Sequence, residues 1–130
     1  MPDPVDKPQV VLIVEGEPVL RIVLGEYLRR YGFYPFAVRN AEEAIRMISV
    51  GVAVDIVFSD VRMPGAMDGY GLARWVRENR PDLPILLASE EVSNATAQLC
   101  EVETLAKPYD FDVAAQKLHE TIHHYKRRKA

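Results

Sequence analysis

The chain has 130 residues, of which 48% are apolar, 27% charged and 8% aromatic, the balance of an ordinary globular protein and not of a disordered, collagen-like or disulfide-dense one. That length suits one domain over 1–130, with a core of about 9–125 between a short N-terminal tail and a basic C-terminal one. Sixteen Lys and Arg against nineteen Asp and Glu leave a formal charge of −3, too little positive field to hold a nucleic acid backbone directly.

The unbroken aliphatic run Val10–Val14 is too short to cross a bilayer, and MPDPVDKP lacks the basic and apolar regions of a signal peptide. No membrane association and a cytoplasmic location are therefore expected. The single cysteine, Cys100, excludes an internal disulfide and a Cys-based zinc site, and reads as a packing residue.

Short β-branched runs alternate with stretches of helical period, the pattern of an α/β fold. Gln9–Val14 is continuously aliphatic and predicts a strand buried on both faces. Glu15-Gly16-Glu17-Pro18 breaks it. Val19, Ile22, Val23 and Tyr27 then follow helical spacing to Tyr31, with Gly32 as the left-handed stop. Phe33–Val38 predicts a second strand. Asn40, followed by Glu43 at the third helical position, opens a helix over Ala41–Ser49.

Val54–Ser59 reads as the third strand and Asp60–Gly69 as a loop. A helix striped by Leu72, Trp75 and Val76 runs to about Asn79, and Pro81 and Pro84 close it off. Ile85–Ala88 is the fourth strand, Ser93–Cys100 a short helix, and Thr104–Ala106 a brief fifth strand. Asp110 starts a last helix striped by Phe111, Ala114, Leu118, Ile122 and Tyr125, with Lys126–Lys129 at the end where cations suit the helix dipole. The expectation is a doubly wound parallel sheet of five strands in the order 2-1-3-4-5, with five helices in alternation.

Ligands of such sheets bind beyond the carboxyl ends of the strands. The polar residues ending strands one, three, four and five are Glu15, Asp60, Ser89 and Lys107, which this topology brings to one crevice. A strand-end carboxylate with a second acid, a hydroxyl and an ammonium around it is what transfer of a phosphoryl group to Asp requires. Lys107 would neutralise one phosphoryl oxygen and Ser89 donate a hydrogen bond to another. Mg²⁺ prefers oxygen ligands, and Glu15, Asp60 and the backbone carbonyl of Arg62 form such a set, with Glu17 as a further candidate.

VLIVEGEP at Val11–Pro18, DIVFSDVRMPGAMDGYGLARWVR at Asp55–Arg77, PILLAS at Pro84–Ser89 and LAKP at Leu105–Pro108 together resemble the receiver domain of two-component response regulators over nearly the whole chain. The resemblance implies a flavodoxin-like (βα)5 fold, Asp60 as phosphoacceptor, Ser89 as switch hydroxyl, Lys107 as the phosphoryl-contacting lysine, and a cis Lys107–Pro108 bond. It also implies a domain that catalyses its own phosphorylation and dephosphorylation without being a turnover enzyme.

Two departures stand out. The family usually has two adjacent acids after the first strand; here Gly16 replaces the one that touches the metal, so Mg²⁺ binding is expected to be weak. The interval from Ser89 to Lys107 is about a helical turn shorter than the family usually allows, implying a shortened fourth helix, and Thr104 stands where many receivers place an inward-swinging aromatic.

The implied partners are a histidine kinase or phosphotransfer protein and a downstream protein meeting the face made by the fourth helix, fifth strand and fifth helix. The chain is expected to be a monomer or weak dimer. The alternative is a pseudo-receiver, an interaction module not switched by phosphate. A haloacid-dehalogenase-like hydrolase would need a second Asp where Arg62 stands, and a flavodoxin would need a phosphate loop where Glu15-Gly16-Glu17 repels one.

The site residues also have plain readings: Asp60 as a turn former, Glu15 as a solvated acid, Ser89 as a cap. His119 and His123 share an i,i+4 face suited to a metal but lack an evident third ligand; with His124 they read as a solvated helix face. Met63, Met67 and Tyr70 read either as a partner-facing patch or as loop packing.

Overall fold

The structure, a computed structural model, describes residues 7–90 and 102–129. Its elements are β1 (Val10–Val14), α1 (Pro18–Tyr31), β2 (Tyr34–Val38), α2 (Ala41–Ser49), β3 (Ile56–Asp60), α3 (Gly69–Asn79), β4 (Ile85–Ser89), β5 (Glu103–Ala106) and α4 (Phe111–Lys129). The helix expected over Ser93–Cys100, with its shortening, lies outside the described residues. The strands form one parallel sheet in the order β2-β1-β3-β4-β5, as the alternation of runs required.

Continuous aliphatic strands serve two faces at once. Val11 and Ile13 of β1 pack with Ile56, Phe58 and Leu86 against Leu24 and Leu28 of α1 and Ala114, Leu118 and Ile122 of α4. Leu12 and Val14 join Val57 in the opposite layer, against Ala44 and Ile48 of α2 and Leu72 and Val76 of α3. The alternation of Cβ directions along each strand produces this division. Burying each of these large side chains is worth roughly 1.5–3 kcal/mol, so the strands are the most heavily stabilised part of the fold.

The phase of α1 differs from the one its first apolar residues suggest. Val19, Ile22 and Val23 are 66%, 65% and 45% exposed, whereas Leu24 and Leu28 are buried and Tyr27 is partly so. Two apolar stripes compete on this helix, and packing against β1 and α4 selects the one carrying Leu24 and Leu28. Glu17 is the N-cap, its carboxylate accepting from Val19 N–H at 3.2 Å and Leu20 N–H at 2.6 Å, and Pro18 takes the first turn where its missing donor costs nothing. Gly32 ends the helix at φ 113°, as expected.

The Asn40 cap of α2 is also confirmed: Asn40 Oδ1 accepts from Glu43 N–H at 2.8 Å. Glu43 reaches back one residue further than a capping box requires, to Arg39 N–H at 2.7 Å, and its carboxylate pairs with the Arg39 guanidinium at 2.9 Å.

The third strand runs later than its composition suggested and includes Asp60. Asp60 stands in register with Ala88, and Val61 N–H still donates to Ala88 O at 3.1 Å, so the ladder holds the acid inside the sheet.

Candidate phosphoacceptor site

Parallel register aligns the carboxyl ends of four strands, and Glu15, Asp60, Ser89 and Lys107 gather there. Glu15, Asp60 and Ser89 are buried at 5%, 5% and 4% exposure, which sets them apart from solvated strand-end residues. Lys107 Nζ lies 2.6 Å from Asp60 Oδ1. Its backbone N–H donates to Ser89 O at 2.8 Å, anchoring the turn after β5 to the end of β4, and the Lys107–Pro108 bond is cis. Val61, Arg62, Ala88, Ser89, Glu90 and Lys107 line a cleft of about 30 Å³ beside Asp60.

Glu15 is fixed by its neighbours. Glu17 N–H donates to Glu15 Oε2 at 3.0 Å, Glu15 N–H donates to Val38 O at 3.1 Å, and Arg21 Nη1 donates to Glu15 O at 2.8 Å. Burial raises its carboxyl from 4.5 to about 7, helped by the hydrogen bond it makes with Asp60. The Glu17 N–H, the Asp60 charge and the more distant Lys107 charge modify this in smaller measure. A low-dielectric pocket holding two acids disfavours charge on both, which is why the Glu15 carboxyl moves upward.

Glu17 belongs to the helix and not to the acid pair. Both of its carboxylate oxygens serve the α1 cap, and it supports the site only through the main-chain N–H given to Glu15. Arg62 lines the cleft. The Glu15 and Asp60 carboxyls are hydrogen-bonded to each other at the end of the sheet. Among the described residues no group of three or more His, Cys, Asp or Glu side chains is placed to hold a metal ion.

Sequence reasoning missed Tyr109. Its ring meets Phe58 edge-on at 5.7 Å and Phe111 at 6.3 Å, on the α1 and α4 side of the sheet. Burial drives its hydroxyl well above the usual tyrosine range, and the Asp60 and Glu15 carboxylates add to the effect. Its place two residues after Lys107 was the available signal. With Leu20, Glu90, Lys107, Pro108 and Phe111 it lines a groove of about 500 Å³ beside the site.

The other candidates divide between partly buried loop residues and an exposed helix face. Met63 and Met67 are partly buried against the α2 and α3 layer, and Ser59 Oγ donates to Met63 Sδ at 3.4 Å. Tyr70 is half-buried at the start of α3. His119, His123 and His124 are exposed on α4, the solvated helix face expected of them; the His119 ring lies 4.6 Å from that of Phe33, and partial burial, then His123, lowers its pKa from 6.5.

The family model of the response regulator receiver domain matches residues 11–122. The chain is 28% identical to the DNA-binding transcriptional regulator NtrC of Escherichia coli K12 over 124 residues, covering 92% of this chain and 26% of the relative. It is 32% identical to the sensor histidine kinase RcsC of Salmonella typhimurium over 114 residues, covering 84% of this chain and 12% of that one. It thus spans about a quarter or less of the length of these relatives.

Among solved structures, the response regulator TrrA of Thermotoga maritima in complex with Mg²⁺-BeF matches with TM-score 0.77 and 28% identity, covering 87% of this chain and 98% of that one. The receiver domain of a signal transduction histidine kinase from Syntrophus aciditrophicus matches with TM-score 0.81 and 30% identity, covering 92% of this chain and 93% of that one. Among the described residues no helix is long and apolar enough to cross a membrane.

Proposed function

The chain belongs to the response regulator receiver domain family, and from that premise we propose that Asp60 accepts a phosphoryl group from a phosphohistidine on a kinase or phosphotransfer protein. The observation that carries this reading is the buried Asp60 carboxylate held 2.6 Å from Lys107 Nζ at the rim of a cleft shared with Ser89. An Asp60 oxygen attacks phosphorus, the new P–O bond forms as the P–N bond breaks, and the imidazole departs with the bond pair. Lys107 offsets the charge that collects on one phosphoryl oxygen, and the Ser89 hydroxyl donates to another. Asp60 is a phosphoacceptor and not a turnover catalyst.

Glu15, Asp60 and the Arg62 carbonyl are the residues that would hold Mg²⁺. When bound, the ion supplies further positive charge to an anion approaching an anion. With no acid at position 16, affinity falls to the weak end of hard-cation sites, about millimolar. The signal passes by protein contact through the face that includes β5 and α4, which Lys117 and Glu103 tie together at 3.3 Å.

A second reading, an interaction module not switched by phosphate, is favoured by one observation: Gly16 places no side chain beside Glu15 and Asp60. Phosphoramidate labelling at high millimolar Mg²⁺ separates the two. A hydroxylamine-sensitive acyl phosphate, lost in Asp60→Asn, is the expected result. Label that survives in Asp60→Asn moves the acceptor elsewhere, and an unlabelled wild type selects the second reading.

A further inference from the structure

We propose that Arg21 is a positioning residue for the Asp60 site: from α1 its guanidinium holds the main-chain carbonyl of Glu15, and through it the carboxyl that Glu15 sets against Asp60. The step from that position to Mg²⁺ rests on the phosphoacceptor reading above; the step from Arg21 to Glu15 does not.

β1 ends at Val14, and Glu15 carries the chain one residue beyond it. Its N–H still finds a partner in the neighbouring strand, Val38 O at 3.1 Å. Its carbonyl oxygen is met instead by a side chain, Arg21 Nη1 at 2.8 Å. Glu15 is buried at 5% exposure, and a buried carbonyl needs a donor from the protein.

Arg21 grips the same turn at a second point, its own N–H donating to Glu17 O at 2.9 Å. One residue thus joins the carbonyls of Glu15 and Glu17, on either side of Gly16. Glycine has no side chain to brace a turn and leaves its backbone the widest freedom, so the restraint has to come from outside it. Glu17 is fixed in turn by its carboxylate, which caps α1 at Val19 and Leu20, and its N–H donates to Glu15 Oε2 at 3.0 Å.

Glu15 is therefore held at both ends, its carboxylate by Glu17 N–H and its main chain by Arg21. A planar guanidinium on a long stem reaches from the helix back to the strand end, and without it the Glu15 carbonyl is a buried acceptor with no donor. The turn then relaxes about Gly16, and the Glu15 carboxyl leaves Glu17 N–H and Asp60 with it.

The test is a double-mutant cycle on the full chain, read first without metal as the amide proton shift of Glu17, the group that reports where Glu15 Oε2 lies. Arg21→Met keeps the stem and removes the donor; Arg21→Gln, too short to reach, serves if the Met variant does not fold. In either, the Glu17 amide is expected to move at least halfway from its wild-type shift to its shift in Glu15→Ala, and to move little further when Arg21→Met is added to Glu15→Ala. A Glu17 amide left at its wild-type shift overturns the proposal, and so does a displacement as large in the Glu15→Ala background, which would place the action of Arg21 on Glu17 directly. In calorimetric titration with Mg²⁺ alone, Arg21→Met is expected to bind about tenfold more weakly than wild type, the usual cost of losing a partner that orients a ligand. Affinity within about twofold of wild type overturns the step to the metal. If wild type binds no Mg²⁺, the metal assignment falls, and the metal-free shifts still decide whether Arg21 holds Glu15.

Discussion

Lys107 Nζ reaches Asp60 Oδ1 at 2.6 Å from the end of β5, across β4, which separates that strand from β3. The contact links residues far apart in sequence, and the backbone bond from Lys107 N–H to Ser89 O at 2.8 Å aims it. The Lys107 side chain is 23% exposed and that of Asp60 5%, so the lysine lines the cleft while the acid stays within the fold.

Removing that cation breaks the ion pair of an Asp60 that stays buried beside Glu15. Lys107→Met is expected to destabilise the fold by about 2–4 kcal/mol in urea unfolding. It should also slow phosphoramidate labelling by about 100-fold or more, the usual cost of losing a group aimed at developing charge. A variant as stable and as quickly labelled as wild type would make the ion pair incidental.

The phase of α1 makes an equally sharp expectation. Ile22→Ser removes an apolar side chain that is 65% exposed and should change stability by no more than about 0.5 kcal/mol. Leu24→Ala, at a position 1% exposed, should cost about 2–5 kcal/mol. Equal losses would mean that the helix is rotated from the phase described.

Glu43 links stability to pH. Its carboxyl is lowered from 4.5 to about 2, first by the Arg39 guanidinium hydrogen bond and then by the Arg39 N–H. A folded value below the unfolded one stabilises above about pH 4.5, and the contribution is lost as the pH falls from there toward 2. Arg39 is 67% exposed, so solvent and salt screen the effect and keep it small. Glu43→Gln should therefore melt below wild type at pH 6, with the gap closing near pH 2 and narrowing in high salt; a gap independent of pH would assign the loss to the cap alone.

Much of the fold was legible because its causes are local. The aliphatic run at Val10–Val14 marked a strand buried on both faces, Asn40 marked a helix start, and Gly32 marked a stop; each acts through its neighbours in sequence. The strand-end residues were legible as a set because parallel winding brings strand ends together. The phase of α1 was not, since Val19, Ile22 and Val23 and the pair Leu24 and Leu28 are equally apolar, and only packing against β1 and α4 selects between them.

The sequence alone thus determined the winding order, the gathering of the strand-end residues Glu15, Asp60, Ser89 and Lys107, and the absence of an acid at position 16. Only the tertiary structure decided that burial beside Asp60 raises the Glu15 carboxyl, that Tyr109 packs against Phe58 and Phe111, and that Pro64 lies over Gly16. These depend on burial and on distances between atoms from different loops, quantities that no spacing within one segment encodes.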